Sequence, residues 1–368
     1  MLTAVICGYA LAYVAAMSPP VVEDQPRPLA PELVAAWKQA GATGGETSET
    51  GELPTFQFTQ YQPGVLRKPP APDSPFGLDL GGVPITDEGL QELAAFKQIH
   101  ALRLGDTRVT DAGLKVLTAL QHLQTLSLSY TKVTDAGLTD LAKLKRLRSL
   151  DLRFTQVMNA GLKELAALDD LASLNLGYTQ VGDAGLKGLA ACVRLESLNL
   201  RGNHITDAGL KELAGLKRLD ALNLYHTRVT DAGLQALAEL PRLQSLNLSF
   251  TRVSDAGLRD VAALKQLRSL SLFRTRVTDA GLAELAALPS LESLDLDRTR
   301  VTDAGLKTLA ALKTLRSLDL ADNRITDAGI KDLAALENLA SLTLRGTQVT
   351  DTGLAELRKA LPRCEIER

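Results

Sequence analysis

The sequence predicts an α/β solenoid: a parallel sheet on a concave face, short helices on a convex face, and a stack bent into a horseshoe. Three observations predict it. Asp recurs every 24 residues, at 87, 111, 135, 183, 207, 231, 255, 279, 303, 327 and 351, with Asn159 filling the one gap. Gly follows two positions later in all twelve units, from Gly89 to Gly353. Leu supplies 72 of the 368 residues while aromatic residues make up only 4%, so the core is aliphatic rather than built on large rings. Length alone suggests two or three domains, but fixed-period self-similarity points to one repetitive architecture.

Residues 1–18 carry no charged side chain after the initiating Met. The stretch is shorter than the ~20 residues of a bilayer span and suits the apolar part of a signal peptide, with Val14-Ala15-Ala16 as a small-residue cleavage site. No Lys or Arg precedes it. It is read as a signal peptide or hydrophobic leader, giving export or a membrane tether; the alternative is a cytoplasmic chain.

Residues 19–75 hold 11 of the 15 Pro and read as a Pro-rich linker and small cap. Pro31 opens and Gly41 closes a helical segment around Trp37. Residues 44–51 form a polar loop, and Thr55-Phe56-Gln57-Phe58-Thr59 alternates like a short strand. A solenoid needs such a cap because its end repeat otherwise exposes an apolar face.

Residues 76–361 form about twelve 24-residue units. In one of them, Leu126 and Leu128 alternate with polar residues, the period of a strand buried on one face. Leu138, Leu141, Ala142 and Leu144 follow helical spacing. Thr134 is placed to cap that helix, Asp135 sits in its first turn where the helix dipole favours an acid, and Gly137 lets the turn approach its neighbour. A lone unit buries six or seven aliphatic side chains worth roughly 2 kcal/mol each. Ordering its backbone costs roughly 1–2 kcal/mol per residue, so the units fold only as an array. Twelve strands spaced ~4.8 Å give a sheet edge of roughly 55 Å. Residues 362–368 are a truncated unit, in which Ile366 falls where Leu342 sits and Glu365 and Glu367 discourage edge pairing.

The pattern Leu-x-x-Leu-x-Leu-x-x-Thr/Asn-x-Val/Ile resembles the leucine-rich repeat (LRR), over about four fifths of the chain. Units such as Leu200-x-x-Asn203-x-Ile205-Thr206-Asp207-Ala208-Gly209-Leu210 are similar to repeats of bacterial LRR proteins and of F-box/LRR proteins. The latter resemblance implies a substrate-recognition adaptor of a ubiquitin ligase. F-box-type units usually carry Cys where this chain has Thr or Asn, and residues 1–75 contain no F-box-like segment.

Several functions are excluded. With 41 Lys+Arg against 43 Asp+Glu, the chain lacks the basic excess of a nucleic-acid binder. Three Cys make neither a disulfide scaffold nor a zinc module, and Cys192 takes a core Leu position. Calcium wants several oxygens converging on one ion, whereas the Asp column supplies one per repeat. His100, His122, His204 and His226 fall in different units. No nucleophile elbow, phosphate-binding Gly loop or paired-carboxylate motif is present. The chain is therefore read as a non-enzyme without cofactors or metal.

Function then falls to the concave face. Reading equivalent positions down the stack gives polar columns, with acids toward the carboxy end (Asp295, Asp297, Asp319, Asp322) and aromatics in the middle. Six aromatics lie in these columns: Tyr130, Phe154, Tyr178, Tyr225, Phe250 and Phe273. With Arg153, Arg201 and His226 they are the candidate partner-binding residues, since aromatics beside Arg compose protein-binding hot spots. A rim column runs Arg108, Lys132, Gln156, Gln180, His204, Arg228, Arg252, Arg276, Arg300, Arg324, Gln348 and reads as a solvated edge or a surface steering an acidic partner. The expected function is a monomeric protein-interaction scaffold whose partner is an unknown protein. Glycan or cell-envelope binding is the alternative.

Overall fold

The computed structural model describes residues 28–45 and 53–368. The leader read at 1–18 and most of the loop read at 44–51 lie outside them. The chain falls into two compact units, Met1–Ser197 and Leu198–Arg368.

In the first unit, helix Pro31–Gln39 precedes strand Thr43–Gly44, which runs antiparallel to Thr55–Gln57. From there every strand pairs parallel with the next: Thr55–Gln57, Phe76–Asp79, Ile99–Arg103, Thr125–Ser127, Ser149–Asp151 and Ser173–Asn175. Leu102, Leu126, Leu150 and Leu174 meet in register and are buried. At the amino end the core switches from Leu to rings. Trp37 stacks on Phe56 at 4.4 Å and touches Phe58, Phe76 and Phe96, while its Nε1 donates to the Pro70 carbonyl at 3.0 Å. Buried Glu92 accepts from Tyr61 Oη and from the Gly64 and Leu66 amides at 2.7–3.0 Å. The loop over the first repeat is thus tied to a carboxylate whose charge is satisfied by three donors.

In the second unit, strands Ala221–Asn223, Ser245–Asn247, Ser269–Ser271, Ser293–Asp295, Ser317–Asp319, Ser341–Thr343 and Glu365–Glu367 pair parallel in sequence. Leu222, Leu246, Leu270, Leu294, Leu318, Leu342 and Ile366 form its register line.

Between strands the chain makes short helices, such as Asp135–Leu141 and Asp279–Leu285. Their starts show what the Asp column does. Thr134 Oγ accepts from the Ala136 amide at 3.2 Å and donates to Asp111 Oδ2 at 2.6 Å, while the Thr134 amide donates to Asp111 Oδ1 at 2.8 Å. The same two bonds to the preceding repeat's Asp recur for Thr110, Thr230, Ser254, Thr278, Thr302, Thr326 and Thr350. Each such Asp is therefore a clasp between repeats as well as an acid at a helix start. The Gly column completes the clasp. A Cβ built on Gly137 would stand 2.5 Å from Asp111 Oδ1, and one on Gly233 2.5 Å from Asp207 Oδ1.

The repeat that carries Met158 and Asn159 departs from this scheme. Asp135 Oδ1 still accepts from the Met158 amide at 2.7 Å, but no hydroxyl is available to cap the next helix. That segment is a 3₁₀ turn, Leu162–Ala167, without a side-chain cap. Its own Asn159 accepts from the Gly182 amide at 2.7 Å.

Candidate functional site

The strands are only about three residues long, so each chain turns sharply before its helix. The turn is built by two side chains. An Asn or Asp ending the strand folds back on the amide two residues on: Asn175 to Gly177, Asn199 to Arg201, Asn223 to Tyr225 and Asp295 to Asp297, all at 2.9–3.0 Å. A Thr then closes the turn, as Thr131 Oγ donates to the Leu128 carbonyl at 2.6 Å. Much of the polar column that ends the strands is thus engaged in holding the backbone.

The residue before that Thr takes a left-handed conformation in repeat after repeat. Tyr130, Phe154, Tyr178, His226, Phe250, Arg274, Arg298 and Asp322 have φ between 49° and 57°. Equivalent positions are Gly82, Gly202 and Gly346, also at positive φ. A side chain there costs roughly 1–2 kcal/mol relative to glycine. Four of the six aromatics, Tyr130, Phe154, Tyr178 and Phe250, therefore belong to a strained turn and not to the strand, and their rings project from a backbone that glycine would relax. Retained strain of this kind concentrates at functional positions.

The candidate residues form two groups, one in each unit. In the first, Phe154 lies between Tyr130 (4.3 Å, 12° between planes) and Tyr178 (4.6 Å, 19°). Tyr130 is 53% and Phe154 38% exposed. Both faces of Phe154 are covered by its neighbours, so solvent meets this ladder largely along ring edges. Beside it, Arg153 Nε lies 3.2 Å from Asp151 Oδ2, an ion-pair distance without hydrogen-bond alignment. Burial raises the Asp151 pKa above the usual carboxylate value, against the lowering effect of the Arg153 amide and charge.

In the second unit, Phe250 is the hub. Tyr225 approaches it at 5.0 Å and 52°, Phe273 edge-on at 4.9 Å and 85°, and His226 edge-on at 6.1 Å. Arg201 sits over the Tyr225 ring at 4.0 Å and Arg274 over Phe250 at 5.0 Å. Arg274 was not among the residues singled out from sequence; its signal was its place in the same column as Phe250.

An acidic group follows. Asp295 accepts from Ser271 Oγ at 2.7 Å, and Arg298 Nε donates to Asp322 at 2.8 Å. Burial, then the Asp295 and Asp322 charges, push Asp297 up to about 6 against the Arg298 charge. Burial, then Asp295 and Asp297, push Asp319 up to about 7. Among the described residues no group of three or more His, Cys, Asp or Glu side chains is arranged to hold a metal ion. No helix among them is long and apolar enough to cross a membrane.

Two family models match the chain: a leucine-rich repeat region over residues 78–258 and a leucine rich repeat over residues 289–349. The chain has no match among curated proteins. Among solved structures, it is similar to an internalin from Listeria monocytogenes, with 26% identity, 79% of each chain covered and a TM-score of 0.63. It is also similar in fold to an LRR protein of Leptospira interrogans (23% identity, 79% of this chain and 89% of that one, TM-score 0.50). The mouse RP105/MD-1 complex contains a further similar fold (20% identity, 85% of this chain and 63% of that one, TM-score 0.59).

Proposed function

Because the chain belongs to the leucine-rich-repeat family, whose members are generally non-catalytic binding scaffolds, we propose that it is a protein-interaction scaffold that engages its partner through the strand face. The observation that carries this reading is the pairing of exposure with strain. Tyr130 and Phe154 hold aromatic rings in solvent on left-handed backbone, where a glycine would be more stable. Large amphipathic rings beside Arg153, and the rings with Arg201 and Arg274 in the second unit, have the composition of protein hot spots.

Sugar binding is the weaker reading. A sugar stacks on a free ring face, and Phe154 has both faces covered by Tyr130 and Tyr178. The ladder instead offers an edge-on apolar strip, suited to a protein surface.

The test is affinity capture with mass spectrometry, comparing the parent chain with Phe154→Ala and Tyr225→Ala. The expected result is a specific protein that both variants retain at least tenfold less well, about 1.4 kcal/mol, with unchanged thermal unfolding. Equal capture by both variants counts against this surface.

A further inference from the structure

Five consecutive repeats of the second unit carry arginine at one position: Arg228, Arg252, Arg276, Arg300 and Arg324. All five are exposed, and among the described residues none forms an ion pair with a carboxylate. Other surface cations of the same unit do: Arg242 with Asp220, Arg259 with Glu284, Arg268 with Glu292, and Arg298 with Asp322. The nearby acids of the repeat are already occupied. Asp231, Asp255, Asp279 and Asp303 each receive two hydrogen bonds from the following repeat's Ser or Thr.

The backbone fixes the spacing of this stripe. The amides of Arg228, Arg252, Arg276 and Arg300 donate to the carbonyls of Ile205, Val229, Val253 and Val277 at 2.9–3.1 Å. Their Cα atoms therefore step at the interval of adjacent strands, about 4.8 Å, so five arginines span about 19 Å. That interval selects among anionic partners. An α-helix with one acid per turn presents carboxylates every 5.4 Å, or about 22 Å over the same four steps. An extended acidic strand presents them every second residue, about 27 Å over four steps. Shared between the two ends, the helix mismatch of about 3 Å asks little swing of the arginine side chains, whereas the strand mismatch of about 8 Å asks more than twice as much.

We propose that this stripe docks an acidic helix of a protein partner, laid along the stack with one Glu or Asp per turn facing the arginines. The inference rests on the protein-scaffold reading and adds the partner's chemistry. Desolvated guanidinium–carboxylate pairs in series give orientation and salt-dependent affinity.

The test uses the full chain and three probes: an 18-residue stapled helical peptide with Glu every third or fourth residue on one face, the same composition with its Glu spread around the helix, and a 20-base-pair DNA duplex. The one-face peptide is expected to bind at least tenfold tighter than the other two at 0.1 M salt. That binding is expected to weaken with salt and to fall at least tenfold in the triple variant Arg252→Gln, Arg276→Gln, Arg300→Gln, whose melting curve should match the parent. Equal binding of the two peptides, tighter binding of the duplex, no binding of the one-face peptide at 1 mM, or indifference to the triple variant each overturns the proposal. If the natural partner is captured equally by the triple variant yet lost with Tyr225→Ala, the helix proposal fails while the scaffold reading stands.

Discussion

Thr134 Oγ donates to Asp111 Oδ2 at 2.6 Å across the boundary between two repeats, while accepting from the Ala136 amide in its own repeat. The donor direction is unambiguous, because an amide can only donate and a carboxylate can only accept. One hydroxyl thus caps a helix and fastens that helix to the preceding turn. Thr134→Val keeps the shape and removes both bonds. It should cost about 1–2 kcal/mol of stability, read as a lower midpoint in urea unfolding. An unchanged midpoint would show that the clasp contributes nothing.

The Met158 repeat offers the converse experiment. Among the described residues Asp135 there accepts from the Met158 amide without a hydroxyl donor beside it, and the Met side chain is 47% exposed, so little packing is lost on its removal. Met158→Thr restores the missing hydroxyl and should raise stability by about 0.5–1 kcal/mol. A drop in the urea midpoint would contradict the role assigned to Thr in the other repeats.

Asp207 and Gly233 should be energetically coupled. Gly233→Ala forces a methyl to within 2.5 Å of Asp207 Oδ1 and should cost about 1–3 kcal/mol. Asp207→Ala removes the obstruction along with the clasp to Thr230. The double variant should therefore be at least 0.5 kcal/mol less damaged than the sum of the singles. Strict additivity in the double-mutant cycle would mean that the glycine is not reserved for the carboxylate.

The acidic group predicts a pH dependence with a definite sign. Folding raises the pKa of Asp319 from 3.8 to about 7, so the folded chain holds a proton that the unfolded chain has released. The contribution of this group to stability is most favourable below pH 4, declines as the pH rises, and levels off above about pH 7. Asn already fills the equivalent position at 175, 199, 223 and 247, making the bond that Asp319 Oδ1 makes with the Ala321 amide at 2.9 Å. Asp319→Asn should match the parent near pH 4 and exceed it at pH 8 by about 1 kcal/mol, allowing for partial solvent screening. Thermal melts across that range decide it; parallel curves for the two proteins would rule the effect out.

Much of the architecture was legible because it is periodic. Leu126 and Leu128 declared a strand by alternation, and Leu138 with Leu141 a helix by spacing; both lie buried where the pattern put them. The cap by Thr134 was legible for the same reason, since its partner Ala136 is two residues away. Asp111 was read correctly as an acid at a helix start but incompletely, because its main partner lies 23 residues on and only the stacked chain brings the two together. The left-handed turn left a trace in the glycines at 82, 202 and 346, which the rings at 130, 154 and 178 obscured. Column membership of those rings could be read from sequence. Their orientation could not, since parallel stacking of Phe154 and edge-on packing of Phe250 depend on neighbours across the sheet.

The clasp also makes array length an editable quantity. Excising residues 231–254 would join Thr230 to Asp255, leaving Asp207 facing Thr230 and Asp255 facing Thr278, with Gly257 inheriting the place of Gly233. Every interlock survives a change of one whole period. A change of 23 or 25 residues instead puts the repeat at the junction one residue out of step, while the Asp and Thr pairs downstream keep their 23-residue separation. Whole modules can therefore be added or removed with the clasp intact at every boundary, whereas slippage by a single codon damages the repeat in which it falls.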